Sequence, residues 1–549
     1  MQFSNDGRSL MEQPFVSLLW PDEESRRADT AGARRTHISE KVCEELGLSD
    51  LLTLSGGLTD YFTSDPAVIR YRQETLADLA RVPALSDTLA RAVPILCDIR
   101  ELRHLDRDGG TDTGDAYLYS ITEIELYVRA IDTLAAGLAA AGEACTSPAF
   151  RALTDRITAF AGDADYLTLK TRLGELSAHV NEVRSVTIGV NLDAACRPVD
   201  AGVLRLNAEP FKSGRLLDKI LRMSFRNDAM TCIAPLTPLG KKQSENRQEA
   251  LSGAFKGALE DIFRSSVKAW RAIVGDYVLD NADFLLRLLP EIEFVTRVGA
   301  LEKRLTDAGY PLATPVLRPA AEKAFDARGL YNPDVALRID DPVVPNDLTF
   351  DDNARIYVLT GPNRGGKSVI TCAVGLAQAM TQLGMRVPAE ALTVSPADGI
   401  FTHFPEGAED TIDKGRLGEE CARLREIFEE VTGDSMILLD ESLSSTGAFE
   451  ASYIAAEILT GFAVVGCRGI FSTHLHELAS AVPEINERAA AEGGVRIDTL
   501  VAGIEEGRRS FLIRRARPDG RSYARDIAEK YGLSLDGIRA LTHRDNPTA

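Results

Sequence analysis

The 549-residue chain has no CxxC pair, no histidine placed to complete a zinc set with a cysteine, and no uninterrupted apolar run of the ~18 residues a membrane span requires. The N-terminus (MQFSNDGRSLMEQPF) has neither a basic head nor an apolar signal core. These absences exclude a thiol-based metal framework and leave Cys43, Cys97, Cys145, Cys196, Cys232, Cys372, Cys421 and Cys467 to be read as reduced, mostly buried thiols. A soluble, cytoplasmic protein with no membrane partner is the expectation. Repeats of 20 to 50 residues and low-complexity tails are also missing. Positive charge is in short supply, with 62 Lys and Arg against 82 Asp and Glu, a net −20. Such a chain repels a polyanion at long range, so nucleic-acid binding would need a local basic surface.

Apolar residues make up 44% and charged residues 26%, ordinary globular values, and the length predicts roughly three or four structural units. Between Ser64 and Leu105, Val68, Leu76, Leu79, Leu85, Leu89, Val93 and Leu96 recur at helical spacing. Ala116–Ala141 and Phe150–Val183 continue the pattern with almost no glycine, predicting long packing helices. Ser185–Leu206 instead carries two alternating β-branched runs around Pro198, Asp200 and Gly202, the pattern of a β-hairpin. Helical periodicity returns from Leu216 and dominates Glu249–Ala308, before the turn-rich Gly309–Pro319 marks a boundary. Beyond it, buried-strand runs at Ile356–Leu359, Met436–Leu439 and Ile470–Ser472 alternate with helical stretches. The predicted architecture is a mainly α N-terminal region with a small β-hairpin, followed by an α/β domain.

Gly361-Pro362-Asn363-Arg364-Gly365-Gly366-Lys367-Ser368 satisfies G-x-x-x-x-G-K-[ST] between the apolar run IYVLT and the helix-like VITCAVGLAQAM. Glycines let backbone N–H groups approach phosphate oxygens, the helix N-terminus adds positive potential, Lys367 reaches the β and γ phosphates, and Ser368 can ligate Mg²⁺. Met436–Glu441 is an apolar strand ending in two carboxylates: Asp440 is placed on the metal side, and Glu441 is the candidate general base for an attacking water. His474, after the run GIFST, is placed to sense a γ phosphate, whereas His476 reads as structural. A Mg²⁺-dependent ATPase with Lys367, Glu441 and His474 as catalytic residues is the expectation.

Taken together, these segments resemble the MutS family of DNA mismatch-repair ATPases, whose ATP-binding domain belongs to the ABC-like class. The strings that carry the resemblance are Val344-Pro-Asn-Asp347, LTGPNRGGKS, GMRVPAEALTVSPADGIFTHF, LLDES, FSTHLHEL and GRSYARDIAEKYGL. Upstream, TSDPAVIRYRQETLADLARVPALSDTL is similar to that family's helical core and LLRLLPEIEFVTRVGALEKRL to the helix returning from its clamp region. The resemblance implies a helical core over residues 1–115, lever- or clamp-like helices over 116–310 with a hairpin near 185–206, a linker and the start of the ATPase domain over 311–340, and a P-loop ATPase domain over 341–549. With a core-like segment so near the N-terminus, a short form of the family without the mismatch-reading and connector domains is the expectation. Three local departures accompany the match. Arg364 stands where a methionine is usual, Gly415 where a serine reaches the partner's nucleotide, and SLSSTGAFE where a glycine-rich loop is usual, although Glu420 and Thr446 match. The resemblance implies a homodimer.

Between Lys212 and Arg247, eight basic residues (Lys212, Arg215, Lys219, Arg222, Arg226, Lys241, Lys242 and Arg247) face three acidic ones, a local +5 in a chain of −20. This is the sequence's DNA-binding candidate, with no aromatic interleaving for base stacking. Two functions fit: an ATP-driven dimeric clamp on DNA, serving repair or recombination, or a nucleotide-gated scaffold for protein partners. A small-molecule kinase fits poorly, because Glu441 beside Asp440 is arranged to activate water.

Overall fold

The computed structural model describes residues 14–32, 34–54, 57–108, 115–171, 173, 185–194, 198–207, 212–213, 231–232, 283–362, 364–405, 416–505, 508–517 and 531–542. A helical N-terminal region precedes an α/β domain, as the periodicities predict. By contact the chain forms two units: residues 1–81, 146–149 and 295–549, and residues 82–145 and 150–294. This division runs across chain order.

In the second unit the helices Pro83–Asp108 and Asp115–Ala141 run antiparallel, because Thr88 meets Gly137 while Arg103 pairs with Glu123 at 2.6 Å. Tyr166 Oη donates to Asp132 Oδ1 at 2.9 Å, and Phe160 meets Phe284 edge-on at 5.7 Å. The predicted hairpin is present as β1 (Ser185–Leu192) and β2 (Pro198–Asn207), paired antiparallel with two register irregularities. Two short strands, β3 (Lys212–Ser213) and β4 (Thr231–Cys232), pair in parallel.

The first unit contains two sheets. The smaller joins β5 (Val316–Leu317), β6 (Phe325–Leu330), β7 (Asn346–Phe350) and β9 (Ala391–Val394) in the order β5-β9-β6-β7. The larger joins β8 (Ile356–Thr360), β10 (Ile400–His403), β11 (Met436–Asp440), β12 (Arg468–Ser472), β13 (Ile497–Glu505) and β14 (Arg508–Arg515) in the order β10-β11-β12-β8-β13-β14. All neighbours in it are parallel except the terminal pair β13 and β14. Every residue of β8, β10, β11 and β12 is buried. Their sequences are therefore near-continuous apolar runs rather than alternating ones, as parallel strands covered on both faces require.

The helix Lys367–Gln382 is buried over almost its whole length. A Cβ at Gly375 would lie 2.5 Å from Leu438 of β11 and 2.6 Å from Leu46, so glycine is the residue that lets helix, sheet and N-terminal segment meet there. Ala448–Val465, with a mean hydropathy of 1.4, is long and apolar enough to cross a membrane by composition. It carries Glu450 and Glu457, and its buried face (Ala451, Ala455, Leu459, Phe462) belongs to the core beneath β11 and β12. The side chains of six cysteines are described, all free: Cys43, Cys145 and Cys467 are buried, Cys97 and Cys372 half-buried, and Cys421 exposed.

Gly375→Val overpacks this junction. It is expected to cost about 1–3 kcal/mol, read as a lower midpoint of urea unfolding in the full chain.

Candidate functional site

The registers of the larger sheet align Asp440 with Ser472 and Ser472 with Leu359. The residues just beyond those ends therefore converge: the loop from Gly361, Glu441 after β11, and Thr473 and His474 after β12. Ligands bind outside the carboxyl ends of strands in open α/β sheets because the loops there are free to differ while the strands hold them in place.

The loop from Gly361 to Gly366 leads directly into the helix Lys367–Gln382. Gly361 has φ +141, and a Cβ there would lie 2.7 Å from that of Ala502, so only glycine fits both the turn and its neighbour. Pro362 and Gly365 are buried, while Arg364 is exposed with φ +58. Asn363 lies outside the described residues. The buried Lys367 Nζ donates to the carbonyls of Gly361 at 3.2 Å and Pro362 at 3.3 Å and lies 3.5 Å from His474 Nδ1. His474 Nε2 in turn lies 2.6 Å from Glu441 Oε1. With the imidazole protonated on Nε2, lysine donates to histidine and histidine donates to glutamate. The sequence-predicted catalytic residues Lys367, Glu441 and His474 thus form one chain of contacts.

Burial lowers the pKa of the Lys367 ammonium, opposed by the charges of Glu441 and Asp440. Burial also raises the Asp440 carboxyl above its ordinary range. The hydroxyls of Ser472 and Ser368 pull it down, Glu441 pushes it up, and Lys367 pulls it down. Among the described residues, neither Asp440 Oδ1 nor Ser472 Oγ closes a hydrogen bond, although both atoms are buried. Unsatisfied buried oxygens of a carboxylate and a hydroxyl, with Ser368 alongside, are the hard donors that Mg²⁺ prefers. The metal residues expected from sequence, Ser368 and Asp440, are together, and the residues present fit the ion. Ser472 carries no local signal in the sequence, because its neighbour across the sheet is set by strand register.

A cavity of about 440 Å³ opens beside this cluster, lined by Lys367, Ser368 and Glu441 of the cluster and by Tyr331, Ile339 and Val343. Asn346, from the segment Val344–Asp347, holds the cavity's edge: its Nδ2 donates to the Phe511 carbonyl at 3.2 Å and its Oδ1 accepts from Ile513 N at 2.6 Å. Phe511 has φ +55 and its ring comes within 3.6 Å of where a Gly366 Cβ would be. His476 is exposed at the start of the helix His476–Ser480 and does not join the cluster.

Residues 357–503 match the family described as MutS domain V, and residues 64–307 match the MutS2 N-terminal domain. The chain belongs to the MutS family. It is 34% identical over 222 residues to the DNA mismatch repair protein MutS of Roseiflexus castenholzii, covering 39% of this chain and 20% of that protein. To MutS of Chloroflexus aurantiacus it is 33% identical over 293 residues, covering 52% and 29%. To MutS of Fervidobacterium nodosum it is 33% identical over 242 residues, covering 42% and 26%. The matched stretches therefore span less than a third of these relatives' lengths.

Of the DNA-binding candidates in this MutS-family chain, only the backbone of Lys212 falls within the described strands. Arg215, Lys219, Arg222, Arg226, Lys241, Lys242 and Arg247 lie outside the described residues, as does Gly415. Glu420 and Thr446 are described: Glu420 accepts from Ser445 Oγ at 3.0 Å, and Thr446 Oγ1 donates to Glu450 at 2.8 Å.

The raised Asp440 pKa has a sign. A carboxyl that holds its proton more tightly when folded destabilises the fold as pH rises from its unfolded pKa through its folded one. Asp440→Asn removes this penalty, so at pH 7 the variant should melt no lower than the unaltered protein while losing Mg²⁺-dependent nucleotide binding. A melting scan and a nucleotide titration with and without Mg²⁺ check both parts.

Proposed function

We propose that the chain hydrolyses ATP with Mg²⁺ and uses the cycle to open and close a dimeric clamp on DNA. The observation that carries the reading is the convergence of Lys367, Ser368, Asp440, Glu441 and His474 at the carboxyl ends of β8, β11 and β12. The Gly361–Ser368 loop cradles the phosphates through backbone N–H groups, and Lys367, turning from the loop carbonyls, places its charge on the β and γ phosphates. Bound at Ser368 and Asp440, Mg²⁺ supplies neutralisation of the phosphate oxygens. Glu441 aligns a water and takes its proton, and His474, donating to Glu441 Oε1, holds that carboxylate in one orientation. The wall of Tyr331, Ile339 and Val343 receives the base of the nucleotide.

Supporting the DNA half of the reading are membership in the MutS family and the local +5 of Lys212–Arg247. A homodimer follows from the same reading, with the signature residue Glu420 of one subunit facing the nucleotide of the other. The domain division at 115/116, 310/311 and 340/341 and the cytoplasmic location belong to this proposal as well. A net charge of −20 favours a second reading, in which the same engine gates a surface for protein partners.

Lys367→Ala is expected to weaken ATP binding, whereas Glu441→Gln is expected to bind ATP and lose turnover by about 10²-fold or more. Unchanged turnover in Glu441→Gln removes Glu441 as the base. ATP hydrolysis measured with linear, mismatched and branched duplexes at low and moderate salt separates the two readings. Salt-sensitive, DNA-dependent turnover supports the clamp, and turnover indifferent to every duplex supports the protein scaffold.

A further inference from the structure

A second buried pair lies next to the catalytic cluster, and neither member carries a role in the hydrolysis described above. His403 ends β10 and is only 2% exposed. Its Nδ1 lies 2.7 Å from Ser442 Oγ, and the same hydroxyl lies 3.2 Å from the His403 carbonyl oxygen. One placement of hydrogens satisfies both contacts: Ser442 donates its O–H to the carbonyl, and His403 donates Nδ1–H to the Ser442 oxygen. Nε2 is then the bare nitrogen. It is buried and without a hydrogen-bond partner among the described residues. Burial, reinforced by the charge of Arg423, lowers the imidazole's pKa to about 4, so the ring is neutral at physiological pH and carries a single N–H.

Ser442 sits between two residues held in the left-handed region, Glu441 with φ +48 and Leu443 with φ +64. Non-glycine residues persist there only where the surroundings over-determine them. Three attachments do so. Glu441 N donates to the Ser472 carbonyl at 2.9 Å, the Leu443 side chain is fully buried, and Ser442 is tied to His403. The first two fix the ends of the three-residue turn, and the third fixes its middle.

We propose that His403 is a positioning residue: through its reciprocal contact with Ser442 it holds the Glu441–Leu443 turn in the left-handed conformation that aims the Glu441 carboxylate at His474. The proposal rests on the reading of Glu441 as the base. Its structural half concerns the turn alone and is measured without nucleotide. A further tie acts in the same direction, since Ser445 donates to Glu420 of the helix Arg416–Glu430, whose backbone also lies beside the His403 ring.

The test compares His403→Leu, which removes the donor, with His403→Asn, whose amide Nδ2 stands where the imidazole Nδ1 stood, in the full-length protein. Amide hydrogen exchange of residues 441–443 is measured without nucleotide, and kcat and KM are measured for ATP. His403→Leu should exchange faster at 441–443 and lose roughly 10- to 100-fold in kcat with KM held within about twofold, while His403→Asn stays near the unaltered protein in both. Unaltered exchange and kcat in His403→Leu overturn the proposal. Equal impairment of both variants also overturns it, because the ring would then be packing alone. If the unaltered protein hydrolyses no ATP, the ATPase reading fails, and the exchange data still decide the positioning role. Should His403→Leu not fold, Ser442→Ala removes the other half of the contact with little change in volume and is judged by the same two measurements.

Discussion

Asp440 ends a strand whose every residue is buried, with β10 on one side and β12 on the other. The carboxylate therefore arrives where water cannot reach it fully, and one of its oxygens has no hydrogen-bond partner among the described residues. Burying a charge without compensation is expensive, and the Lys367 charge nearby offsets part of that cost. The rest of the site follows from that placement. Lys367 lies close enough for its charge to register, Ser368 and Ser472 present hydroxyls from two sides, and the next residue, Glu441, is turned toward His474.

The turn after β11 shows how the fold spends stability on geometry. Where the MutS family has a glycine-rich loop, this chain places serines and a leucine, yet the backbone still visits the left-handed region at Glu441 and Leu443. With no glycine to make that conformation easy, neighbouring groups hold it: a backbone bond from β12, burial of Leu443, and the His403–Ser442 contact. The opposite solution is used at Gly361, where the approach of Ala502 leaves no room for a side chain.

The N-terminal residues contribute to the α/β unit more than their place in the chain suggests. His37 accepts from Ile400 N through its carbonyl and donates its own N–H to Asp398, extending the sheet edge at β10. Gln382, at the end of the helix that begins with Lys367, binds Thr36, the Thr63 carbonyl and the Ala397 carbonyl. Glu45 pairs with Arg423 at 2.9 Å and accepts from Thr402, the residue before His403. Just past the Gln382 end of the same helix, the buried Glu302 pairs with Arg386 at 2.7 Å. The C-terminal end of the phosphate-loop helix and the strand carrying His403 are thus braced by segments distant in sequence.

Much of this was legible in the sequence wherever the signal was local. The alternation of β-branched residues around Pro198–Gly202 specified the hairpin, because side-chain direction along a strand repeats every two residues. Helical spacing from Ser64 to Ala141 specified the long helices, and the continuous apolar runs before Gly361, Glu441 and His474 specified buried parallel strands with functional groups at their ends. Fixed spacing also named Lys367, Ser368, Asp440, Glu441 and His474, since a phosphate loop and an acidic strand end are built from consecutive residues. Strand order, register and the docking of residues 14–81 were decided only by the tertiary structure. The sequence cannot show that Ser472 lies level with Asp440, that His403 lies beside Ser442, or that Leu46 fills the notch at Gly375, because each of these pairs unites segments far apart in the chain and is selected by packing, not by local preference.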